Sequence, residues 1–168
     1  NQVARMMNDE KADAFIKNFV GQWLYLRNLD NVYPLPAAFP EFDDNLRLSF
    51  KQETEMFFEE QIRENHSLLE LFTANYSFLN QRLADHYGIG GVYGSHFRKV
   101  ELDGYKRGGL LGHGSLMTVT SYPNRTSVVL RGKYVLDNFL GSPPPEPPPN
   151  VPALEESRDR KSTRLNSS

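Results

Sequence analysis

The chain of 168 residues contains no cysteine. Disulfides, thiolate metal sites, cysteine nucleophiles and covalently attached haem are therefore excluded within these residues. The compartment is left open by that absence, since a protein needs no cysteine to be exported. Long apolar runs are also missing, and none approaches the roughly 20 residues a bilayer-spanning helix requires. Neither sign of charge dominates: 19 basic residues stand against 21 acidic ones, a net charge of −2. Such a mixed, mildly acidic chain carries no electrostatic footprint for nucleic acid or an anionic membrane surface. Finally, Asn1 opens directly on a helical pattern, without the basic start, apolar run and small-residue cleavage site of a signal peptide. The chain is expected to be an internal piece of a larger protein.

What is present is enough for a core. At 39% hydrophobic and 12% aromatic residues, the length allows one domain, or one domain with part of a second. The last ten residues, DRKSTRLNSS from Asp159 to Ser168, resemble the translation of a DNA-sequencing adapter. They show no apolar periodicity and are expected to be a non-native, disordered tail. Without them basic residues fall from 19 to 16 and acidic from 21 to 20, a net charge of −4.

Apolar periodicity predicts a long amphipathic helix over 3–29. Phe15, Phe19 and Trp23 fall at steps of four, and Ile16, Val20 and Leu24 form a second row beside them. Pro34, Pro36 and Pro40 then enforce an extended connector. Asp43 or Asp44 caps a second helix to about Glu64. Its inner face carries Leu46, Phe50, Thr54, Phe57, Phe58 and Ile62, and Glu53, Glu55, Glu59, Glu60 and Glu64 fall on a solvated surface. Ser67 and Glu70 have capping-box spacing and predict a third helix; residues 77–87 predict a fourth, stopped by Gly88. The glycine-rich stretch 88–94 reads as a loop, and Phe97–Leu102 as a short strand. Residues 110–121 are ambiguous, with helix favoured because Leu110, Leu111, Gly114 and Met117 share a face. Ser127 caps a last helix over 128–140, closed by Gly141. The run PPPEPPPNVP at 143–152 is compatible only with polyproline II or disorder. The fold class expected is mostly α: a helical domain with a glycine-rich loop, one short strand and a proline-rich exit linker.

Few constellations carry chemistry. Gly88-Ile89-Gly90-Gly91-Val92-Tyr93-Gly94 lacks the preceding strand, and Tyr93 stands where a dinucleotide fingerprint needs glycine; a plain turn is the better reading. Gly112-His113-Gly114-Ser115 lacks the spacing of a nucleophile elbow, and close packing of a small-residue helix explains its glycines. His66, His86, His96 and His113 are scattered without metal-site spacing. His113 and Met117 differ in lying four apart on a predicted helix, and both residue types ligate haem iron. They are the candidate haem-proximal pair, with ordinary packing as the competing explanation. No catalytic or metal-binding set is identified.

Two longer strings say more. LFTANYSFLNQRLADHYGI, Leu71 to Ile89, resembles the hallmark of the family catalogued as domain of unknown function 1592, and FVGQWLYLRNLD and AFPEFDDNLR fit its earlier blocks. RGGLLGHGSLMTVTSYPNRTSVVLRGKYVLDNFLGSPPPEPPPNVP, Arg107 to Pro152, resembles the start of domain of unknown function 1588. Val128 stands where that family commonly has proline. The resemblance places a first, helical domain at 1–104 and the start of a truncated second at 105–158. It also implies a large, planctomycete-type, cytochrome-associated protein that is periplasmic or on the cell surface. There a C-x-x-C-H haem-attachment motif follows the proline run, so the haem c belongs to a downstream segment of the parent chain. The expected role is scaffold portion of a redox or electron-transfer protein, and the alternative is a non-redox binding or structural module of the cell envelope.

Overall fold

A computed structural model describes residues 2–7 and 9–145. Most of the proline run and the adapter-like tail lie outside the described residues. The elements in order are α1 (Gln2–Met7), α2 (Ala12–Trp23), a 3-10 turn (Leu26–Asn31), α3 (Asp44–Arg63), α4 (Glu70–Thr73), β1 (Tyr76–Leu79), α5 (Gln81–Tyr87), β2 (Arg98–Glu101), a second 3-10 turn (Leu110–Gly112), α6 (Gly114–Val119), β3 (Ser121–Tyr122), β4 (Arg125–Thr126) and α7 (Val128–Asn138). About 52% of the described residues are helical and 8% lie in strands. The expectation of a mostly α chain is thereby corrected to a mixed α/β fold with two small antiparallel sheets.

The correction has a local cause. Residues 77–79, expected to open a helix, belong instead to the strand Tyr76–Leu79, paired with Arg98–Glu101. Asn80 is the helix cap: its side chain accepts a hydrogen bond from Leu83 N–H at 2.9 Å, so α5 begins only at Gln81. The preceding four residues alternate between two cores. Tyr76 and Phe78 join one apolar cluster, and Leu79 joins the other. A strand offers both faces at a period of two, which a helix cannot do.

The predicted first helix is broken in two. Asp9 Oδ1 accepts from Lys11 N–H at 2.9 Å, a local turn that competes with the helix. Tyr25, at φ 55°, ends α2 before the 3-10 turn. Only one of the two predicted rows is fully buried. Ile16, Val20 and Leu24 are core, whereas Phe15 is 60% exposed and Phe19 45%. Ser67 and Glu70 do not form a capping box: the Ser67 hydroxyl accepts from Leu69 N–H at 3.3 Å, and the Glu70 carboxylate sits 2.7 Å from His66 Nδ1.

Helix α3 organises everything else. Asp43 caps it, accepting from Leu46 N–H at 2.7 Å. One side of α3 contributes Phe57 and Phe58 to a cluster with Leu24, Leu29, Leu71, Leu110, Leu116 and Tyr134. The other contributes Leu46 and Phe50 to a cluster with Leu83, Ala84, Ile89 and Leu102. Residues on both sides of the expected 104/105 boundary thus fill one core. Gly114, at the start of α6, has to be glycine for this packing, since a Cβ there would overlap the Phe50 ring.

Candidate functional site

Burial of α3 carries an acid with it. Glu53 lies three residues after Phe50 and four before Phe57, on the inward face, and it is fully buried. Its placement on a solvated acidic face is corrected by that geometry. Both oxygens are satisfied by hydroxyls: Ser77 donates to Oε1 at 2.6 Å and Tyr87 to Oε2 at 2.6 Å. Desolvation nonetheless dominates and raises its pKa to about 7. The Tyr87 phenol also accepts from Gly114 N–H at 2.8 Å. Its own ionisation is pushed well above the usual range, first by burial and then by the neighbouring Glu53. The Arg107 guanidinium lies over the Tyr87 ring, 3.6 Å from its centroid, and donates to the Gly112 carbonyl. A chain of contacts therefore runs from α3 through α5 to the segment that opens α6.

A second polar group is buried beside it. His113, 2% exposed, places Nδ1 3.1 Å from Thr54 Oγ1, which lies 2.6 Å from Ser115 Oγ. Thr54 also donates to the Phe50 carbonyl at 3.2 Å. With that hydroxyl hydrogen committed, the compatible tautomer carries its proton on Nδ1. Nε2 is then buried without a hydrogen-bond partner, and the Phe57 ring stands edge-on at 4.8 Å. Burial, and secondarily the Arg107 charge, lower the His113 pKa to about 3, so the ring is neutral.

On the solvent side of Tyr87 opens a cleft of about 440 Å³. The proline-rich connector forms one wall, with Phe39 and Phe42. It is held by Leu35 N–H donating to the Pro123 carbonyl at 2.7 Å and by Arg47 donating to the Val32 carbonyl at 3.0 Å. The opposite wall comes from α6, the β3–β4 hairpin and the start of α7, and includes Met117, Tyr122 and Arg131.

The paired candidates His113 and Met117 do not converge. His113 caps α6 inside the core, while Met117, 36% exposed, lines the cleft. In this arrangement only Met117 adjoins the cleft, and His113 is enclosed in the core. Among the described residues no group of three His, Asp or Glu side chains is placed to hold a metal ion. Glu53, Tyr87 and Arg107 went unmarked in the sequence. Only Glu53 left a signal there, its place in the apolar period of α3.

Comparison with protein families matches residues 1–89 to PSD4, protein of unknown function (DUF1592). The chain belongs to that family. The adjacent stretch 107–167 matches PSCyt3, protein of unknown function (DUF1588). No match is found among curated proteins or among solved structures. The DUF1592 segment thus supplies α1 to α5 and the connector wall, and the DUF1588 segment supplies α6, the hairpin and α7. The cleft lies between them. The two family names hint at a cytochrome-associated multidomain protein. Among the described residues no helix is long and apolar enough to cross a membrane.

Proposed function

We propose that this chain is the scaffold portion of a larger haem c-associated, exported protein with a redox or electron-transfer role. Its haem is carried by a downstream segment of the same parent chain, in the periplasm or at the cell surface. The observation that supports this reading best is the single core built from both family segments. Leu110, Leu116 and Tyr134 of the second segment pack with Leu24, Phe57 and Tyr76 of the first. Such a body would hold a neighbouring segment in place, and the chain has no cysteine with which to attach haem itself. The haem, when bound, supplies the one-electron chemistry; these residues supply position and exclusion of water.

A second reading, a non-redox binding module, is favoured by the cleft. The two separate in one experiment. The full-length gene is expressed with c-type haem maturation, and haem that stays with the denatured polypeptide is measured beside total iron. Covalent haem in the parent, with none on this chain alone, is the expected result. A parent that folds and carries no haem leaves the binding-module reading in its place.

A further inference from the structure

We propose that the cleft between the two family segments binds a small amphipathic anion: a flat apolar or aromatic body bearing a carboxylate. The volume of about 440 Å³ falls in the range of small-molecule sites, which pair apolar walls with a few convergent polar groups. The apolar walls are Phe39, Phe42, Phe50 and Tyr122, from both segments. The polar lining holds two guanidiniums, Arg107 and Arg131, with His86, the hydroxyls of Thr118, Ser121 and Thr126, and one carboxylate, Glu41.

The charge balance selects the ligand's sign. Among the described residues neither arginine forms an ion pair. Arg131 reaches only neutral acceptors, at long range: Thr120 Oγ1 at 3.3 Å, the Met117 carbonyl at 3.4 Å and Ser121 Oγ at 3.5 Å. Arg107 is spent on the Tyr87 ring and one carbonyl. Glu41, the carboxylate on the cleft wall, faces His86 at 3.7 Å on the connector side. Glu53 stands behind Tyr87 rather than on the wall, with both oxygens already bonded. A guanidinium fork facing an apolar cleft matches a carboxylate in geometry as well as charge. This inference is independent of haem, and its test needs none.

The test titrates the 168-residue chain by calorimetry with 2-naphthoate, with the neutral 2-naphthylmethanol and with acetate. Naphthoate is expected to bind saturably. Naphthylmethanol should bind at least about tenfold more weakly, the loss of one charge-assisted hydrogen bond, and acetate should not saturate. Arg131→Gln should weaken naphthoate about tenfold and leave naphthylmethanol unchanged, while Arg131→Lys recovers part of the loss. Ala38→Trp, at an exposed position on the connector wall, fills the cleft without touching the core and should abolish binding of both. Equal affinity for acid and alcohol overturns the proposal. So does naphthoate binding that survives Ala38→Trp, or the absence of any saturable binding.

Discussion

Glu53 on α3 and His113, which contacts Thr54 of the same helix, are buried groups with opposed titrations, and their signs give a pH signature. Glu53 is an acid raised from 4.5 to about 7. Between those values the folded state holds a proton that the unfolded chain has lost, so its contribution to stability falls as pH rises. His113 is a base lowered from 6.5 to about 3. Between those values the unfolded chain holds the extra proton, so its contribution rises with pH. One proton is worth about 1.4 kcal/mol per pH unit, and from pH 4.5 to 6.5 the two slopes oppose. In urea unfolding, the stability of the native chain minus that of Glu53→Gln should fall with pH across this window. The same difference taken with His113→Asn should climb. Parallel curves for chain and variants would contradict the burial of both groups. The sequence held half of this: the apolar period of α3 passes through Glu53, but its hydroxyl partners come from β1 and α5, which spacing cannot bring together. Likewise the i,i+4 spacing of His113 and Met117 was legible, yet one entered the core and the other the cleft. Which face of a short helix is inward depends on what packs against it.

Elements were legible where a local device fixes them. Asp43 caps α3, Ser127 caps α7 with Leu130 N–H donating to its hydroxyl at 3.2 Å, and Gly88 ends α5 at φ 69°. Elsewhere tertiary pairing overrides the local pattern. The Tyr76–Leu79 strand depends on Arg98–Glu101, some twenty residues on, and no window over 77–87 contains that partner. The break between α1 and α2 is a turn built by Asp9, a residue whose side chain competes with the helix backbone. Trp23 ties α2 to α7: its Nε1–H donates to the Asn138 carbonyl at 3.0 Å, and its ring meets Phe58 and Phe139 edge-on at 5.5 Å each. Trp23→Ala should cost about 3 kcal/mol, the lower end for a large aromatic because the side chain is only partly buried. Trp23→Phe should cost about 1 kcal/mol, the hydrogen bond alone. Thermal and denaturant unfolding measure both, and equal losses for the two variants would place the stabilisation in the hydrogen bond rather than the ring.

At the scale of the molecule, two family segments that read as successive domains share a core. The resemblance identified both families from contiguous motifs. It carried no information about their packing, because the Tyr134 hydroxyl donates to the Leu24 carbonyl, and one cluster holds both Phe57 and Leu110, across long separations. That shared body is the basis for reading the chain as scaffold, with haem chemistry supplied from outside it. Met117 is the residue that tests this most sharply, since it alone of the expected pair reaches an open surface. The decisive measurement is the axial-ligand absorption bands and midpoint potential of the haem-loaded parent, recorded for the native protein and for Met117→Ala. Identical bands and an unchanged potential are expected. Loss of a thioether-ligand band together with a shifted potential would make this chain a haem ligand and contradict the proposed scaffold role.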